Sequence, residues 1–272
     1  MKIRHAALAV SAVCLAGSAF AQSSTATYRL TFDATWTSSN HPGAYPNNAH
    51  FSPIVGATHN DAVTFWEPGG LATPGIELMA ETGGTSLLRS EVNAAVSAGT
   101  AHEVLLGAGI NSPGSTSLEF DVPSNKSLFT LVTMIAPSPD WFVGTHGLSL
   151  RDSGGEWIDE IVVELEAYDA GTEDGSNFSI SNPATIPAEP ISDFSTTPPF
   201  AGLPVLGTYT LTLLSVDTCL ADVNADGSLT PTDFTAWIDA FNNSLPGCDQ
   251  NGDGSCTPTD FTAWINNFNA GC

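Results

Sequence analysis

The stretch "LFTLVTMIAPSPDWFVG", residues 128–144, contains an apolar run that ends abruptly at two prolines and an acid. The run has the length and composition of a buried β-strand. Asp140 then stands between Pro139 and the aromatic pair Trp141 and Phe142. An ionised carboxylate beside such bulk is unfavourable unless a partner compensates its charge. Because the chain has only six Lys and Arg, a metal ion is a better candidate for that partner than a salt bridge.

The strand pattern continues on both sides of this stretch. "YRLTFDATW", residues 28–36, alternates apolar and polar side chains, as a strand with one buried face does. Further strands are predicted at residues 117–122, 147–150, 161–168 and 208–216, separated by turn residues. Between residues 75 and 99 the apolar period changes to that of two short helices. Residues 24–217 are therefore expected to form a mainly β domain, a β-sandwich of about 190 residues.

The first residues predict secretion. Lys2 and Arg4 precede a short apolar stretch, and the small residues at 19–21 suit a signal peptidase. We expect residues 1–21 to be a secretory signal peptide, with no lipid anchor on Cys14. No later stretch reaches roughly 18 unbroken apolar residues, so no membrane span is predicted.

The charge balance limits the partners. There are 29 Asp and Glu against six Lys and Arg, for a net charge of −23. Such a chain repels nucleic acid phosphates and suits cations, of which calcium is the usual partner of carboxylates outside cells. Acidity for solubility, or for a salty medium, is the alternative explanation.

Cysteines divide the chain near Thr218. Residues 22–218 contain none, whereas four follow at positions 219, 248, 256 and 272. A small secreted segment with an even number of cysteines is typical of a disulfide-stabilised domain, here residues 219–272. Three pairings are possible, and we favour Cys219–Cys272 with Cys248–Cys256.

This C-terminal segment contains an internal repeat. "DVNADGSLTPTDFTAWI" starts at Asp222, and "DQNGDGSCTPTDFTAWI" starts at Asp249, 27 residues later. Each has the D-x-N-x-D-G frame and the twelfth-position acid of a calcium loop. The predicted ligands are Asp222, Asn224, Asp226, Ser228 and Asp233 in the first loop, and Asp249, Asn251, Asp253, Ser255 and Asp260 in the second. A helix should follow each loop, with Thr230 and Thr257 as N-caps.

No helix is expected to enter either loop, so the unit is loop–helix twice. This organisation resembles a type I dockerin module of the kind that ends in "GC". The resemblance implies about two calcium ions and docking to a cohesin-like protein or a cell-envelope component. The implied contacts are Pro231-Thr232 and Pro258-Thr259, which are identical in the two halves and would permit two binding orientations. At the positions where familiar dockerins often carry basic residues, this chain has Ile238-Asp239 and Ile265-Asn266.

Two further acids accompany Asp140 in the first domain. Asp169 follows a predicted strand, and Glu173 lies four residues later across a turn at residues 170–172. If both loops lie at one end of the sandwich, the three carboxylates converge and require a cation. Solvated loop acids are the alternative.

Several blocks together resemble the spondin N-terminal domain, known from F-spondin and mindin. They are "HPGAYPNNAHFSPIVGATHN", "GLATPGIELMAETG", "TMIAPSPDWFVG", "YDAGTEDG" and "ATIP". The resemblance implies a C2-like β-sandwich, about one bound calcium held by Asp140, Asp169 and Glu173, and extracellular adhesion. Animal members usually have Asp where this chain has Glu173.

These observations predict a secreted, calcium-binding adhesion protein that is not an enzyme. Its first domain would bind an extracellular matrix, glycan or surface ligand. His41, His50 and His59 lack the motifs of zinc or hydrolase sites, so we expect them to hold the 38–60 loop. A carbohydrate-binding or hydrolytic component of a cellulosome-like assembly is the alternative, and a purely structural envelope protein is a third.

Overall fold

The computed structural model describes residues 24–271, so the predicted signal peptide and Cys272 lie outside the described residues. Within this range, twelve strands form two antiparallel sheets. The strands are β1 (Ser24–Ala34), β2 (His50–Phe51), β3 (Val55–His59), β4 (Ala101–Leu106), β5 (Ile110–Asn111), β6 (Gly114–Pro123), β7 (Leu128–Ala136), β8 (Trp141–Ser149), β9 (Glu160–Leu165), β10 (Tyr168–Asp169), β11 (Ser192–Asp193) and β12 (Gly207–Thr218). The α-helices are α1 (Pro74–Thr82), α2 (Ser86–Ser97), α3 (Pro231–Asn243) and α4 (Pro258–Ala270). None of the helices in this range is long and apolar enough to cross a membrane.

The first sheet has the order β6-β1-β12-β9 and one face in solvent. Along β1, Tyr28, Leu30 and Phe32 are fully buried. Their neighbour Arg29 points outward and forms an ion pair of 2.7 Å with Glu119 on β6. The alternation in the sequence therefore reports a strand that is buried on one face only.

The second sheet has the order β11-β10-β8-β7-β2-β5, and β3 pairs with both β7 and β4. Its inner face packs against the first sheet, while α1 and α2 cover its outer face. Strand β7 is thus buried on both faces, which explains why its sequence is apolar throughout rather than alternating.

The mainly β class, the two sheets and the two helices between residues 75 and 99 are confirmed. Three details of the sequence-based prediction are wrong. Residues 38–60 are not one loop, because β2 and β3 lie within them. The strand expected at 147–150 begins earlier, at Trp141. The strand expected at 161–168 is interrupted, so that β9 belongs to the first sheet and β10 to the second.

The C-terminal segment, residues 219–271, consists of two turn-rich loops, each followed by a helix. Thr230 and Thr257 are the N-caps of α3 and α4, each within a capping box. Each helix also supports the other repeat: Trp237 on α3 donates to the carbonyl of Cys248, and Trp264 on α4 donates to that of Ala221, both at 3.2 Å. The two aromatic side chains form the centre of a small core.

The predicted disulfide Cys248–Cys256 is confirmed. Cys219 is disulfide-bonded as well, and its expected partner Cys272 lies outside the described residues. Strand β12 ends at Thr218, so the first loop starts directly after the sandwich. The Asn125 side chain of the sandwich donates to the backbone carbonyl of Asp226 in that loop, at 3.0 Å.

His59 on β3 provides a test of the packing. It is 2 % exposed, and its ring nitrogens lie 2.8 Å from the Asn60 carbonyl and 2.8 Å from the Thr130 hydroxyl. Burial lowers the pKa of His59 below its ordinary value. The unfolded chain therefore binds more protons below pH 6.5, and this contribution to the free energy of unfolding falls as the pH drops.

We expect His59→Gln to flatten the dependence of the free energy of unfolding on pH between 7 and 5, measured by urea denaturation. One proton can account for at most about 1.4 kcal/mol per pH unit. His146→Gln is the control, because His146 is exposed. Identical slopes in wild type and His59→Gln would contradict the assignment.

Candidate functional site

Asp140 lies in the turn between β7 and β8 and is fully buried. Its Oδ2 accepts hydrogen bonds from the backbone N–H groups of Thr172 (2.7 Å) and Glu173 (3.1 Å). Its Oδ1 is also buried but has no hydrogen-bond partner among the described residues. Burial raises the pKa of Asp140, and the N–H groups oppose that rise. One half of the carboxylate is thus satisfied by the protein and the other half is not.

Asp169 is brought next to this turn because β10 pairs with β8, placing Asp169 opposite Trp141. Its Oδ1 accepts from the Gly171 N–H (2.9 Å), and its Oδ2 accepts from the Trp141 indole (3.2 Å). Burial, together with the charge of Asp140, raises the pKa of Asp169 to about 6. The sheet therefore holds two carboxylates close enough to disfavour each other's charge.

The turn after β10 determines where Glu173 lies. Gly171 has a positive φ of 74°, and a side chain there would collide with the carbonyl of Glu189, so glycine is required. The turn directs the N–H groups of residues 172 and 173 at Asp140. The Glu173 side chain instead accepts from Asn182, at 3.2 Å.

A fourth acid, Glu81, was missed by the sequence analysis. It lies in the last turn of α1, near the Thr172 side chain, whose hydroxyl donates to Asp140 Oδ2 at 3.3 Å. Burial raises the pKa of Glu81, and the charges of Glu173 and Asp140 add to the rise. An acid at the C-terminal end of a helix opposes the helix dipole, and no basic residue follows it there. That mismatch was the available signal, but nothing in the spacing linked residue 81 to residue 140.

The C-terminal loops use their acids in a similar way. Asp222 Oδ2 accepts from the Gly227 N–H, and Asp249 Oδ2 accepts from the Gly254 N–H, both at 2.8 Å. Asp226 and Asp253 accept from the N–H groups of Ser228 and Ser255 at 2.9 Å. Asn224 and Asn251 accept, through their side-chain oxygens, from the N–H groups of Asp226 and Asp253 at 2.9 Å. The carboxylates are therefore gathered around turns of the backbone.

The twelfth-position acids, Asp233 and Asp260, are fully buried and complete these loops. Each accepts from its own N-cap threonine N–H at 2.8 Å. Burial opposes the charge of Asp260, but the N–H groups of Thr257 and Gln250 outweigh it and lower its pKa below the ordinary value. Asp260 thus remains ionised to a lower pH than Asp169.

The donor chemistry of these sites suits a hard divalent cation, because every predicted side-chain ligand is an oxygen and Asp140 Oδ1 is unpartnered. The predicted ligands do not yet converge on a common point in the structure. Between residues 24 and 271, no three His, Cys, Asp or Glu side chains are already arranged to hold a metal ion. Ion binding would therefore require carboxylates that now accept backbone N–H groups to turn toward a shared ion.

A cleft of ≈ 880 Å³ adjoins the acids of the sandwich at Glu81 and the turn after β7. Its lining combines polar and apolar groups, among them Asn48, His50, Glu81, Asn111, Phe178 and Ile180. Ile180 is 69 % exposed at its rim. A concave surface of this size, with a few polar groups, is typical of a ligand site.

The Spondin_N family model matches residues 26–202. Spondin-2 of Homo sapiens is 35 % identical over 179 residues, which cover 64 % of this chain and 54 % of Spondin-2. Spondin-1 of Homo sapiens is 34 % identical over 178 residues, covering 61 % of this chain and 21 % of Spondin-1. Spondin-1 of Gallus gallus is 33 % identical over 180 residues. The chain therefore spans about half of Spondin-2 and about a fifth of Spondin-1.

Asp140→Asn should separate the cost of burying the charge from the benefit of an ion. In chelator we expect its melting temperature to equal or exceed that of wild type, because an amide oxygen still accepts the two N–H groups without a buried charge. In calcium at about 100 times its dissociation constant, the sandwich site alone should stabilise wild type by about 3 kcal/mol, or roughly 5–10 °C. The variant should lack this gain from the sandwich site.

The exposed Asp61→Asn is the control, and it should follow wild type in both conditions. The measurement is differential scanning calorimetry of the four combinations of protein and buffer. A calcium gain that is undiminished in Asp140→Asn would rule out Asp140 as a ligand.

Proposed function

Because the chain belongs to the Spondin_N family, we propose that it is a secreted, calcium-binding adhesion or recognition protein without enzymatic activity. The sandwich would bind an extracellular matrix, glycan or surface ligand, and the C-terminal segment would anchor it. The observation that carries the calcium proposal is the unpartnered, buried Oδ1 of Asp140, in a chain with six basic residues.

Calcium would be held in the sandwich by Asp140, Asp169 and Glu173, with Glu81 as a further oxygen donor from α1. The ion would supply the positive charge that four neighbouring carboxylates lack. The chain's own groups prepare the place: the turn at Gly171 fixes the backbone, and the Trp141 indole orients Asp169. Of these acids, Glu81 lines the cleft, so an ion bound beside it would also set the charge that a ligand meets.

The C-terminal segment is proposed to be a dockerin-like module with two calcium ions. Its support is the duplicated loop frame together with the two capped helices and their mutual tryptophan contacts. The docking surface would include Pro231-Thr232, Pro258-Thr259 and the half-exposed Ile238 and Ile265. The partner would be a cohesin-like protein or an envelope component with an apolar contact surface.

The burial of Asp140 argues against the hydrolytic alternative. A glycoside hydrolase needs two carboxyl groups that contact the scissile bond. Asp140 is fully buried and accepts two backbone N–H groups, so it is placed to hold a loop and an ion rather than a sugar.

Isothermal titration calorimetry tests the ions. At pH 7 we expect about three calcium sites per chain. At pH 5, the site in the sandwich should weaken about tenfold, because Asp169 with a pKa of about 6 must first lose its proton. The loop containing Asp260 should keep its affinity, because the pKa of Asp260 is lowered.

Asp222→Ala with Asp249→Ala should leave only the pH-sensitive site, whereas Asp239→Asn on α3, outside both loops, should leave all three. Absence of calcium uptake at pH 7 would refute the proposal.

The cleft is tested by Ile180→Asp and Val162→Asp. Both side chains are exposed and apolar, but Ile180 lies on the cleft and Val162 on the solvent face of the first sheet. The measurement is binding of each variant, in calcium, to purified matrix glycoproteins immobilised on a surface. We expect Ile180→Asp to bind about tenfold more weakly than wild type, and Val162→Asp to bind like wild type. Equal retention by both variants would exclude the cleft as the recognition surface.

A further inference from the structure

The two loops of the C-terminal segment are nearly identical in sequence but are held differently. The disulfide Cys248–Cys256 joins the residue before the second loop to that loop's eighth residue. The equivalent residues of the first loop are Ala221 and Leu229, which pack in the small core without a covalent link. Opening the first loop would therefore break no covalent link between these two positions, whereas the second loop is held there by a disulfide.

The fourth residue of each loop is a second difference, and it also favours the second loop. It adopts a left-handed backbone conformation in both, with φ of 57° at Ala225 and 75° at Gly252. Glycine adopts this conformation without strain, but alanine does not. The first loop thus carries backbone strain that the second avoids.

Several other features are shared, although only the first loop contacts the sandwich, where the Asn125 side chain donates to the Asp226 carbonyl. Both sixth-position glycines, Gly227 and Gly254, have a φ of 82°. Both twelfth-position acids are buried and accept from the N-cap N–H at 2.8 Å. Because the predicted ligands are of the same types, a difference in ion affinity between the loops would come from their surroundings, including closure and strain, rather than from the ligands.

We propose that the two loops are unequal calcium sites that fill in order, the second loop first and the first loop only at higher calcium. Cys248 and Cys256 act as positioning residues for the second site, together with Gly252. The first loop is then the one that responds to changes in calcium. This inference rests on the proposed function of the loops as calcium sites.

The test follows the amide resonances of Gly227 and Gly254 in the full chain labelled with ¹⁵N-glycine, during titration with chelator-buffered calcium. In wild type, Gly254 should respond at free calcium roughly tenfold or more below that of Gly227. Equal midpoints would overturn the ordering while leaving the calcium sites intact. If neither resonance moves, the proposed calcium loops fail and the ordering fails with them.

Each difference can be tested by substituting the residues of one loop with those at the same positions of the other. Cys248→Ala with Cys256→Leu copies the first loop and should raise the Gly254 midpoint roughly tenfold, with Gly227 unchanged. Gly252→Ala keeps the disulfide and should raise the Gly254 midpoint about fivefold, whereas Ala225→Gly should lower the Gly227 midpoint about fivefold. Urea denaturation in chelator checks that each variant folds. Variants that shift both midpoints equally would indicate a general loss of stability and would overturn the proposal.

Discussion

The carboxylate of Asp140 is buried in a chain that has almost no positive charge to offer it, and this imbalance organises the site. Two backbone N–H groups from the turn after β10 satisfy one of its oxygens. That arrangement requires the pairing of β10 with β8 and the glycine at position 171. The second oxygen has no partner among the described residues, and the neighbouring acids are Glu81 from α1 and Asp169 and Glu173 from β10 and the turn after it. Local structure thus compensates half of the charge, and an ion is the simplest compensation for the rest.

The sequence predicted those parts of the fold whose signal is local. The apolar run of β7, the alternation of β1 and the caps of α3 and α4 depend on neighbouring residues, and all three are present. The short strands β2 to β5 depend on pairing with distant segments, which no local period reports. Glu81 was missed for the same reason: its relation to Asp140 is created by packing α1 against the second sheet. The unpartnered oxygen of Asp140 could not be predicted either, because it depends on which N–H groups the turn supplies.

The C-terminal segment shows how a duplicated sequence produces a small domain. Neither helix has enough apolar surface to be stable alone. The exchange of tryptophan hydrogen bonds makes each helix fix the start of the other loop, so the halves order each other. Two nearly equal sequences can then differ in behaviour through a few residues outside the predicted ligand set. In this segment those residues are a cysteine pair and one alanine in a position suited to glycine.

Strand β12 gives the protein a mechanical property. It is paired with β1 on one side and β9 on the other, and it continues into the C-terminal segment after Thr218. Tension on that segment would run lengthwise along the strand, and both ladders would carry the load in shear, with many hydrogen bonds stressed at once. Pulling β12 out of the sheet in this direction requires more force than a geometry in which its hydrogen bonds break one at a time. If a partner holds the C-terminal segment, the sandwich would therefore resist unfolding by a pulling force such as that of fluid flow.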